Sequence, residues 1–348
     1  MGARPQFIKA SVISRIINNS NTKIEEVLVH SGQHYDENMS EIFFLELGIS
    51  APKYYINSNK NDSDIQFGEI MSELKKIILI ENPDLILVYG DTNTTLAASI
   101  TANKCNIKLA HIESGCRSYR KGQSEEINRV ITDQISDILF CNSALEKLIL
   151  KKEKIKGKIF VVGDIMFDSY LYHLDKIKIN NLNKKNNILF TLHRSENVDN
   201  YIILKNIINF INHLSKNYKI LFPIHPRTNL KLDEFNIKLS KNITITKPQS
   251  YSSMLENLIN SNMVITDSGG LQKEAYYSKK KCFTLRDETE WGVTLKKNAN
   301  TLISPKMEVK DMLKIFNNSI NKKIVFSENV FGDGKSGKKI IEILLNKV

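Results

Sequence analysis

The stretch from Val88 to Asp133 carries the residues best suited to chemistry. Asp91 comes shortly after one apolar run and Glu113 after a second, while Glu125 and Arg129 stand at the start of a polar, helix-like segment. Carboxylates whose surroundings shift their pKa can act as general acid and base, and a guanidinium can stabilise an anion beside them. The sequence therefore predicts a proton-transfer site that works on a bound anion.

The helix-like segment in this stretch has two interpretations. Ser124 is a suitable N-cap, and Glu125, Arg129 and Asp133 recur every four residues, so they share one helix face. A solvent-exposed face of salt bridges would show the same spacing. The two carboxylates in the same half of the sheet favour the catalytic interpretation.

A second stretch, TDSGGLQKEA at 266–275, is suited to binding phosphate. Ser268 can cap the helix that follows, and Gly269 and Gly270 let a ligand approach the backbone amides. A helix N-terminus carries partial positive charge and stabilises a phosphate. Glu274, one turn further on, is placed to accept hydrogen bonds from ribose hydroxyls. An ordinary capped turn is the alternative.

Four basic or imidazole side chains extend the predicted anion site. Arg4 and Lys9 lie at the start of the first helix, where they could clamp a phosphate, although surface Arg and Lys are common. His193 follows an apolar strand in HRSEN, and His225 repeats the arrangement in HPR after the next strand. A histidine at a strand end can bind phosphate or move a proton, and structural capping is an equal alternative.

The elements that position these residues form an alternating pattern. Nearly continuous apolar runs alternate with helix-like segments, which indicates parallel strands covered on both faces. We predict two Rossmann-like domains facing each other across a cleft, with ligands at the carboxyl ends of the strands. The predicted strands are 27–32, 85–91, 108–114, 138–143, 159–164, 187–193, 219–225, 243–248, 263–268, 282–287 and 301–305.

The domain organisation follows from a polar, Asn- and Lys-rich connection near 174–187. We expect an N-terminal domain over 1–170 with the acid/base carboxylates, a nucleotide-binding domain over 171–335, and a C-terminal helix over 336–348 that packs back toward the first domain. GARPQFIKA has the form of a loop that follows a strand, and only Met1 precedes it. We therefore expect the first strand of the N-terminal domain to be missing.

Composition excludes several classes of protein. The formal charge of +11 lies in Lys/Asn-rich pieces without interleaved aromatics, so we expect anionic ligands and no nucleic acid. With no apolar run near 20 residues and no signal peptide, we expect a cytoplasmic protein that does not cross a membrane. The cysteines form no CxxC pair, which argues against a metal site or a disulfide framework; they are Cys105, Cys116, Cys141 and Cys282.

Eight ordered motifs carry a family resemblance: GARPQFIK, SGQHYDENM, VYGDTNTTLAAS, HIESGCRS, SEEINR, HRSEN, TDSGGLQKEA and FGDGK. In order and spacing, over essentially the whole chain, they resemble the non-hydrolysing UDP-N-acetylglucosamine 2-epimerases. The resemblance implies a GT-B architecture, a homodimer, no added cofactor and a UDP-sugar substrate. It also implies inversion at carbon 2 of the sugar through loss of UDP to 2-acetamidoglucal and its re-addition.

The resemblance also implies a role for each matching residue. Asp91, Glu113 and Glu125 become the acid/base carboxylates, with Arg129 as their charged partner. His193 would work near the diphosphate. The remaining substrate contacts would come from the phosphate-binding turn, the ribose-binding glutamate, the basic residues of the leading motif and the second strand-end histidine: Ser268, Gly269, Gly270, Glu274, Arg4, Lys9 and His225.

Some positions depart from the family pattern. Trp291 in RDETEW stands where the N-acetylglucosamine enzymes usually carry Arg, and Met254 stands where Phe often lies near uracil. The short connection after Glu113 resembles relatives that act on UDP-2,3-diacetamido-2,3-dideoxyglucuronate. The open alternatives are therefore a 2-epimerase of that uronate, a GT-B glycosyltransferase, a hydrolysing epimerase, an inactive UDP-sugar binder and, last, a nucleic-acid binder.

Overall fold

A computed structural model of the chain describes residues 1–20, 23–32, 44, 47–58, 62–120, 122–177 and 187–347. By their contacts the residues divide into two units, Met1–Tyr172 with Asn329–Val348, and His173–Glu328. Most of the predicted motif SGQHYDENM and most of the predicted polar connection lie outside the described residues.

The first unit alternates helices and strands from its start. Its elements in chain order are α1 (Arg4–Asn19), β1 (Val29–His30), β2 (Tyr54–Tyr55), α2 (Ser63–Glu81), β3 (Leu85–Tyr89), α3 (Asn93–Lys104), β4 (Lys108–Ile112), α4 (Ser124–Ile135), β5 (Ile138–Cys141), α5 (Ala144–Lys152), β6 (Lys158–Val161) and α6 (Ile165–Leu174).

The second unit continues the alternation, and the chain then ends in a helix of the first unit. The elements are β7 (Asn187–Thr191), α7 (Ser195–Val198), α8 (Tyr201–Leu214), β8 (Lys219–Pro223), α9 (Pro226–Glu234), β9 (Ile243–Thr246), α10 (Tyr251–Ile259), β10 (Met263–Thr266), α11 (Gly269–Tyr277), β11 (Lys281–Thr284), a 3₁₀ segment (Gly292–Asn298), β12 (Asn300–Leu302), α12 (Val309–Ile320) and α13 (Ser336–Lys347).

Two parallel arrangements of strands make up the first unit. The strands β3, β4, β5 and β6 pair in that order, and β1 pairs with β2. The ammonium of Met1 donates to the carbonyl of Val29 at 2.9 Å, and the Ser31 amide donates to the Met1 carbonyl at 2.9 Å, so Met1 lies along β1. Helix α13 packs on α1, where a Cβ on Gly337 would lie 2.6 Å from Val12. Close approach of these two helices therefore requires glycine at 337.

A six-stranded parallel sheet forms the second unit. Its order is β12-β11-β10-β7-β8-β9, so the direction of chain winding reverses between β7 and β10. Large aromatic side chains fill its core, among them Phe190, Phe222, Phe283 and Phe316, each fully buried. In sheets of this order ligands bind outside the carboxyl ends of the two strands at the reversal. The residues that follow Thr191 and Thr266 are therefore the candidates for a ligand site in this unit.

The predicted fold class is confirmed, since both units are α/β with parallel strands. Every predicted strand overlaps an observed one, because long apolar runs between helices have few other ways to bury both faces. The short strand Tyr54–Tyr55 was not predicted, and its two residues leave no periodic pattern to read. Among the described residues, no helix is both long enough and apolar enough to cross a lipid bilayer.

Candidate active site

The carboxyl ends of β3 and β4 hold two of the predicted carboxylates. Asp91 follows β3 and Glu113 follows β4, and the two strands are direct neighbours. Gly90 has φ +66° and Glu113 has φ +76°. A left-handed backbone is uncommon for a residue with a side chain and is found where function maintains strain. The sequence places Glu113 at a strand end, and the fold holds it there in an unfavourable conformation.

Glu113 is paired with a lysine from the first helix. The ammonium of Lys9 contacts the carboxylate of Glu113, with side-chain exposures of 8% and 10%. A Cβ on Gly90 would lie 2.9 Å from the Lys9 ammonium and 3.6 Å from Glu113 Oε2, so a side chain at 90 would displace the ammonium. Lys9 therefore neutralises a buried carboxylate in this structure. Whether it also binds phosphate stays a prediction.

A guanidinium joins the second strand-end carboxylate to helix α4. Arg129 donates through one nitrogen to Asp91 and through the other to Glu126 Oε2, the latter at 2.9 Å. Asn128 adds a hydrogen bond of 2.9 Å to the Asp91 carbonyl. The arginine side chain is 7% exposed and that of Asp91 is 32% exposed. The carboxylate of Asp91 is thus held in place while it stays accessible to a ligand.

Neighbouring glutamates of helix α4 have different surroundings. Glu126 is buried and accepts hydrogen bonds from the amides of Ser118 and Tyr119 at 2.8 and 3.0 Å. Burial alone would raise its pKa, but these bonds and Arg129 hold the pKa below its ordinary value. Glu125 is half-buried, and the Ser124 hydroxyl lies 3.3 Å from its carboxylate. Sequence analysis did not single out Glu126.

The predicted N-cap of helix α4 is wrong. Gln123 occupies that position without a side-chain cap, and Ser124 is the first helical residue. The amides of Glu126 and Ile127 donate to the Gln123 carbonyl at 3.1 and 3.2 Å. The Glu126 carboxylate accepts hydrogen bonds from the loop that precedes the helix. The helix begins at Ser124, one residue earlier than it would with Ser124 as the N-cap.

In the second unit the predicted cap is confirmed. Ser268 is the N-cap of helix α11, and its hydroxyl accepts from the Leu271 amide at 3.4 Å. A Cβ on Gly269 would lie 2.7 Å from Glu290 Oε1, so glycine is needed at the first helical position. Gly270 is half-exposed and Glu274 is buried on the same helix. The helix N-terminus is suited to an anion, and its use for phosphate stays a prediction.

Asp267 connects the two strand ends at the reversal point of this sheet. It is fully buried and accepts from the amides of His193 and Arg194 at 3.0 and 2.8 Å and from Asn197 Nδ2 at 3.1 Å. Its carboxylate also lies 2.9 Å from His193 Nδ1. Burial would raise the pKa of Asp267, but the neighbouring His193 ring and these bonds lower it to about 2. Asp267 stands at the end of a predicted strand in TDSGGLQKEA, but nothing in the sequence predicts its contact with HRSEN.

The two predicted histidines lie beside each other. The ring centroids of His193 and His225 are 5.8 Å apart. His225 caps helix α9 through Nδ1, which accepts from the Arg227 amide at 3.2 Å. The Asp267 contact orients the half-exposed His193 ring through Nδ1, which assigns Nε2 to any interaction with a ligand.

The divergent segment RDETEW packs behind the Ser268 turn. Arg286 and Glu290 form a buried pair at 2.9 Å, and the Lys273 ammonium lies 4.0 Å from the centre of the Trp291 ring. The aromatic ring therefore faces a buried cation of helix α11, which cation–π attraction stabilises. Trp291, which departs from the family pattern, thus packs inside this unit, and the neighbouring Arg286 is paired with Glu290.

Two further predictions concern the limits of the site. The side chain of Arg4 lies outside the described part of the structure. Among the described residues, no group of three or more His, Cys, Asp or Glu side chains is arranged to hold a metal ion. The arrangement as described offers two cation-paired carboxylates in one unit, suited to proton transfer, and a capped, glycine-rich helix start in the other, suited to a diphosphate.

The chain is similar to known proteins along nearly its whole length. The family profile described as UDP-N-acetylglucosamine 2-epimerase matches residues 17–345. A UDP-N-acetylglucosamine 2-epimerase homolog of Methanococcus maripaludis is 43% identical over 361 residues, covering 99% of this chain and 98% of the relative. A UDP-2,3-diacetamido-2,3-dideoxy-D-glucuronate 2-epimerase of Pseudomonas aeruginosa is 40% identical over 350 residues, covering 99% and 98%.

A solved structure has the same fold. The UDP-GlcNAc 2-epimerase of Methanocaldococcus jannaschii, in complex with UDP-GlcNAc and UDP, matches with a TM-score of 0.91 and 40% identity. The match covers 99% of this chain and 98% of that one. The predicted GT-B class agrees with this similarity.

Proposed function

The chain belongs to the UDP-N-acetylglucosamine 2-epimerase family, and we propose that it interconverts UDP-N-acetylglucosamine and UDP-N-acetylmannosamine without hydrolysing the nucleotide sugar. The observation that carries the proposal is the pair of carboxylates at adjacent strand ends, Glu113 with Lys9 and Asp91 with Arg129. Each carboxylate is held in place by a cation, and a positioned carboxyl group can give or take a proton.

The reaction divides into two proton transfers around one intermediate. A carboxylate removes the proton from carbon 2 of the sugar, the bond between carbon 1 and the diphosphate oxygen breaks, and its electron pair leaves with UDP. A double bond then joins carbons 1 and 2 in 2-acetamidoglucal. In the second half, the UDP oxygen attacks carbon 1 and a second carboxyl group, which is protonated, delivers its proton to the opposite face of carbon 2. Proton exchange with solvent then restores both carboxyl groups. Atoms and charge balance without an added cofactor.

Roles within the first unit follow the family resemblance. Asp91, Glu113 and Glu125 supply the proton transfers, and Arg129 holds Asp91. The proton on carbon 2 is weakly acidic, so departure of UDP must be assisted as strongly as proton removal. Lys9 contributes positive charge beside Glu113, and Arg4 is assigned with it to the phosphate.

Roles within the second unit concern UDP. Ser268, Gly269 and Gly270 present the start of helix α11 to the diphosphate, and Glu274 accepts from the ribose. His193 stabilises charge on the departing diphosphate through Nε2, because Asp267 holds Nδ1. His225 lies beside His193 and is the second imidazole assigned to substrate binding.

Proton NMR in heavy water tests the activity. With UDP-N-acetylglucosamine, we expect a manno product that still carries UDP and has deuterium at carbon 2. Free N-acetylmannosamine with UDP would show a hydrolysing enzyme instead. A folded protein that binds UDP but exchanges nothing at carbon 2 would contradict the epimerase and favour a glycosyltransferase or a binder.

A second candidate substrate has a specific observation in its favour. The Pseudomonas aeruginosa relative, at 40% identity, is named for UDP-2,3-diacetamido-2,3-dideoxy-D-glucuronate. Trp291 departs from the N-acetylglucosamine enzymes at the position packed on Lys273. The same NMR experiment with the diacetamido uronate decides between the two sugars, since the preferred one gives the higher rate of deuterium incorporation per enzyme.

We also propose a homodimer, supported by the exposed face of helix α4. Buried positions on this helix are polar, including Glu126 and Arg129, while Ile127, Val130 and Ile131 are 49%, 36% and 37% exposed. These apolar side chains line a groove of about 300 Å³ whose only charged members, among the described residues, are Arg120 and Glu126. Two copies that each carry +11 repel one another, so they should meet where charge is sparse and balanced.

Sedimentation tests the dimer. Ile131→Asp on the groove should convert a dimer to a monomer, while Leu148→Asp on the exposed face of α5 should not. A wild-type monomer at micromolar concentration would contradict the proposal.

We further propose that the enzyme works in the cytoplasm, where it supplies a nucleotide sugar for surface polysaccharide synthesis.

A further inference from the structure

A buried charge network lies beneath the carboxylates of the first unit. His111, on strand β4, has no exposed surface, and neither has Asp133 on helix α4. The ring nitrogen Nδ1 of His111 lies 2.8 Å from Asp133 Oδ1, and Nε2 lies 2.8 Å from the Gly90 carbonyl oxygen. Neither contact belongs to the roles assigned above, although His111 stands two residues before Glu113.

Both groups that face the imidazole are hydrogen-bond acceptors. A backbone carbonyl cannot donate. Asp133 is ionised, because its other oxygen accepts from the Gly115 amide at 3.0 Å and from the Arg117 guanidinium at 2.7 Å. Burial would raise the pKa of Asp133, but the hydrogen bonds from His111 and Arg117 and the charge of Arg117 hold it below its ordinary value. A neutral imidazole has only one N–H, so it could satisfy only one of these acceptors.

Charge balance leads to the same protonation state. Arg117 also donates to both carboxylate oxygens of Glu153, at 2.9 and 2.6 Å. With a singly protonated ring, the one positive charge of Arg117 would face two carboxylates, the fully buried Asp133 and the 28% exposed Glu153. A second proton on His111 makes the network neutral, which lowers the cost of keeping Asp133 and Arg117 away from solvent. The neighbouring thiol of Cys141 adds no charge, because burial raises its pKa far above the ordinary value.

The network reaches each segment that carries a proposed catalytic carboxylate. Gly90, which accepts from His111, directly precedes Asp91. Ser114, next to Glu113, donates through its hydroxyl to the His111 carbonyl at 2.7 Å. Asp133 lies one helical turn beyond Arg129 on α4.

We propose that His111 is a buried imidazolium and a positioning residue, whose two N–H donors fix the Gly90–Asp91 turn to helix α4 and so hold Asp91 and Glu113 in register. Its effect on turnover rests on the proposed function; its protonation state and its hold on the backbone do not. Displacement of reacting groups by about 1 Å costs about 10²-fold in rate, so loss of one donor should be visible in turnover.

Nitrogen-15 NMR of histidine-labelled protein tests the protonation state. At neutral pH we expect one ring, assigned through its absence in His111→Gln, whose two nitrogens both carry slowly exchanging protons. Asp133→Asn removes the carboxylate partner, so the same ring should then keep one proton. A wild-type His111 ring with one bare nitrogen would overturn the proposal.

Hydrogen exchange and turnover test the positioning role. Glutamine at 111 can donate to only one of the two acceptors without turning an oxygen toward the other. In His111→Gln we expect faster amide exchange in peptides covering 88–93 and 113–117, unchanged UDP affinity, and kcat lowered about 10²-fold. The matched control is His213→Gln, which makes the same change at an exposed position of helix α8.

The outcomes separate the two proposals. If the wild type shows no epimerisation but has a doubly protonated ring and the expected exchange changes, the proposed function fails and this inference stands. If epimerisation occurs and His111→Gln alters neither exchange in the two peptides nor kcat, the positioning role is refuted whatever the protonation state.

Discussion

Lys9 and Glu113 form a buried ion pair across the backbone of Gly90, although they come from the first helix and the end of the fourth strand. The contact places a cation beside the carboxylate that the family resemblance assigns to proton transfer. It also makes glycine at 90 part of the site, since φ there is +66° and a Cβ would meet the ammonium at 2.9 Å.

Gly90→Ala should therefore lower both stability and turnover. The left-handed backbone disfavours alanine by about 1 kcal/mol, and the added Cβ displaces the Lys9 ammonium that contacts Glu113. Urea unfolding and deuterium incorporation at carbon 2 measure the two effects. Gly68→Ala on helix α2 is the control, because nothing lies within 4 Å of its added Cβ. If Gly90→Ala and Gly68→Ala change stability and turnover equally, the Lys9–Glu113 pair does not depend on glycine at 90.

Asp91→Asn and Glu113→Gln should each abolish inversion while UDP still binds. Loss of a positioned acid or base costs about 10²–10⁴-fold in rate, whereas nucleotide binding is assigned to the second unit. Calorimetry with UDP and the heavy-water NMR assay measure binding and turnover. Loss of UDP affinity in both variants, with normal folding, would contradict their assignment to the chemistry.

Substitution of the two neighbouring glutamates of helix α4, Glu125 and Glu126, should affect different properties, turnover in one case and stability in the other. Glu126→Gln removes the charge that accepts from Ser118, Tyr119 and Arg129, so we expect a loss of about 1–3 kcal/mol of stability. Glu125→Gln, at a half-buried position, should change stability by less than about 0.5 kcal/mol and lower turnover. The reverse pattern, with Glu125 structural and Glu126 dispensable, would reassign the acid/base role.

Ser268→Ala should weaken UDP binding by about 10- to 150-fold, since a hydrogen bond to a charged phosphate is worth about 1.5–3 kcal/mol. The substitution also removes the cap of helix α11, which costs about 1 kcal/mol of stability. Ser143→Ala removes the cap of helix α5 and controls for that loss. Unchanged UDP affinity in Ser268→Ala would move the phosphate site elsewhere.

Asp267 should make the second unit sensitive to acid. Because its folded pKa is about 2, below the ordinary 3.8, its contribution to stability is complete above pH 3.8 and is lost as the pH falls toward 2. The difference in unfolding free energy between wild type and Asp267→Asn should shrink by about 2 kcal/mol over that interval. Asp199→Asn breaks an exposed pair with Arg227 and should show a much smaller change. A difference independent of pH would contradict the buried ionised carboxylate.

The alternation of strands and helices could be predicted from the sequence because strand burial and helix capping are local properties. The apolar runs place Asp91, Glu113 and His193 at strand ends for that reason, and Ser268, a residue type suited to capping, stands just before a predicted helix. The carboxyl ends of parallel strands share one edge of a sheet. The sequence therefore predicts where the sites lie even though it does not show which side chains touch each other.

The pairing of those residues was decided only by tertiary structure. Glu125 and Glu126 are adjacent and chemically alike, and the sequence cannot tell which one meets Arg129, because that depends on the packing of α4 against the loop before it. The same holds for Asp267, which bonds residues 73 and 74 positions earlier in the chain. His111 is the extreme case: its charge follows from two acceptors contributed by distant segments, Gly90 and Asp133.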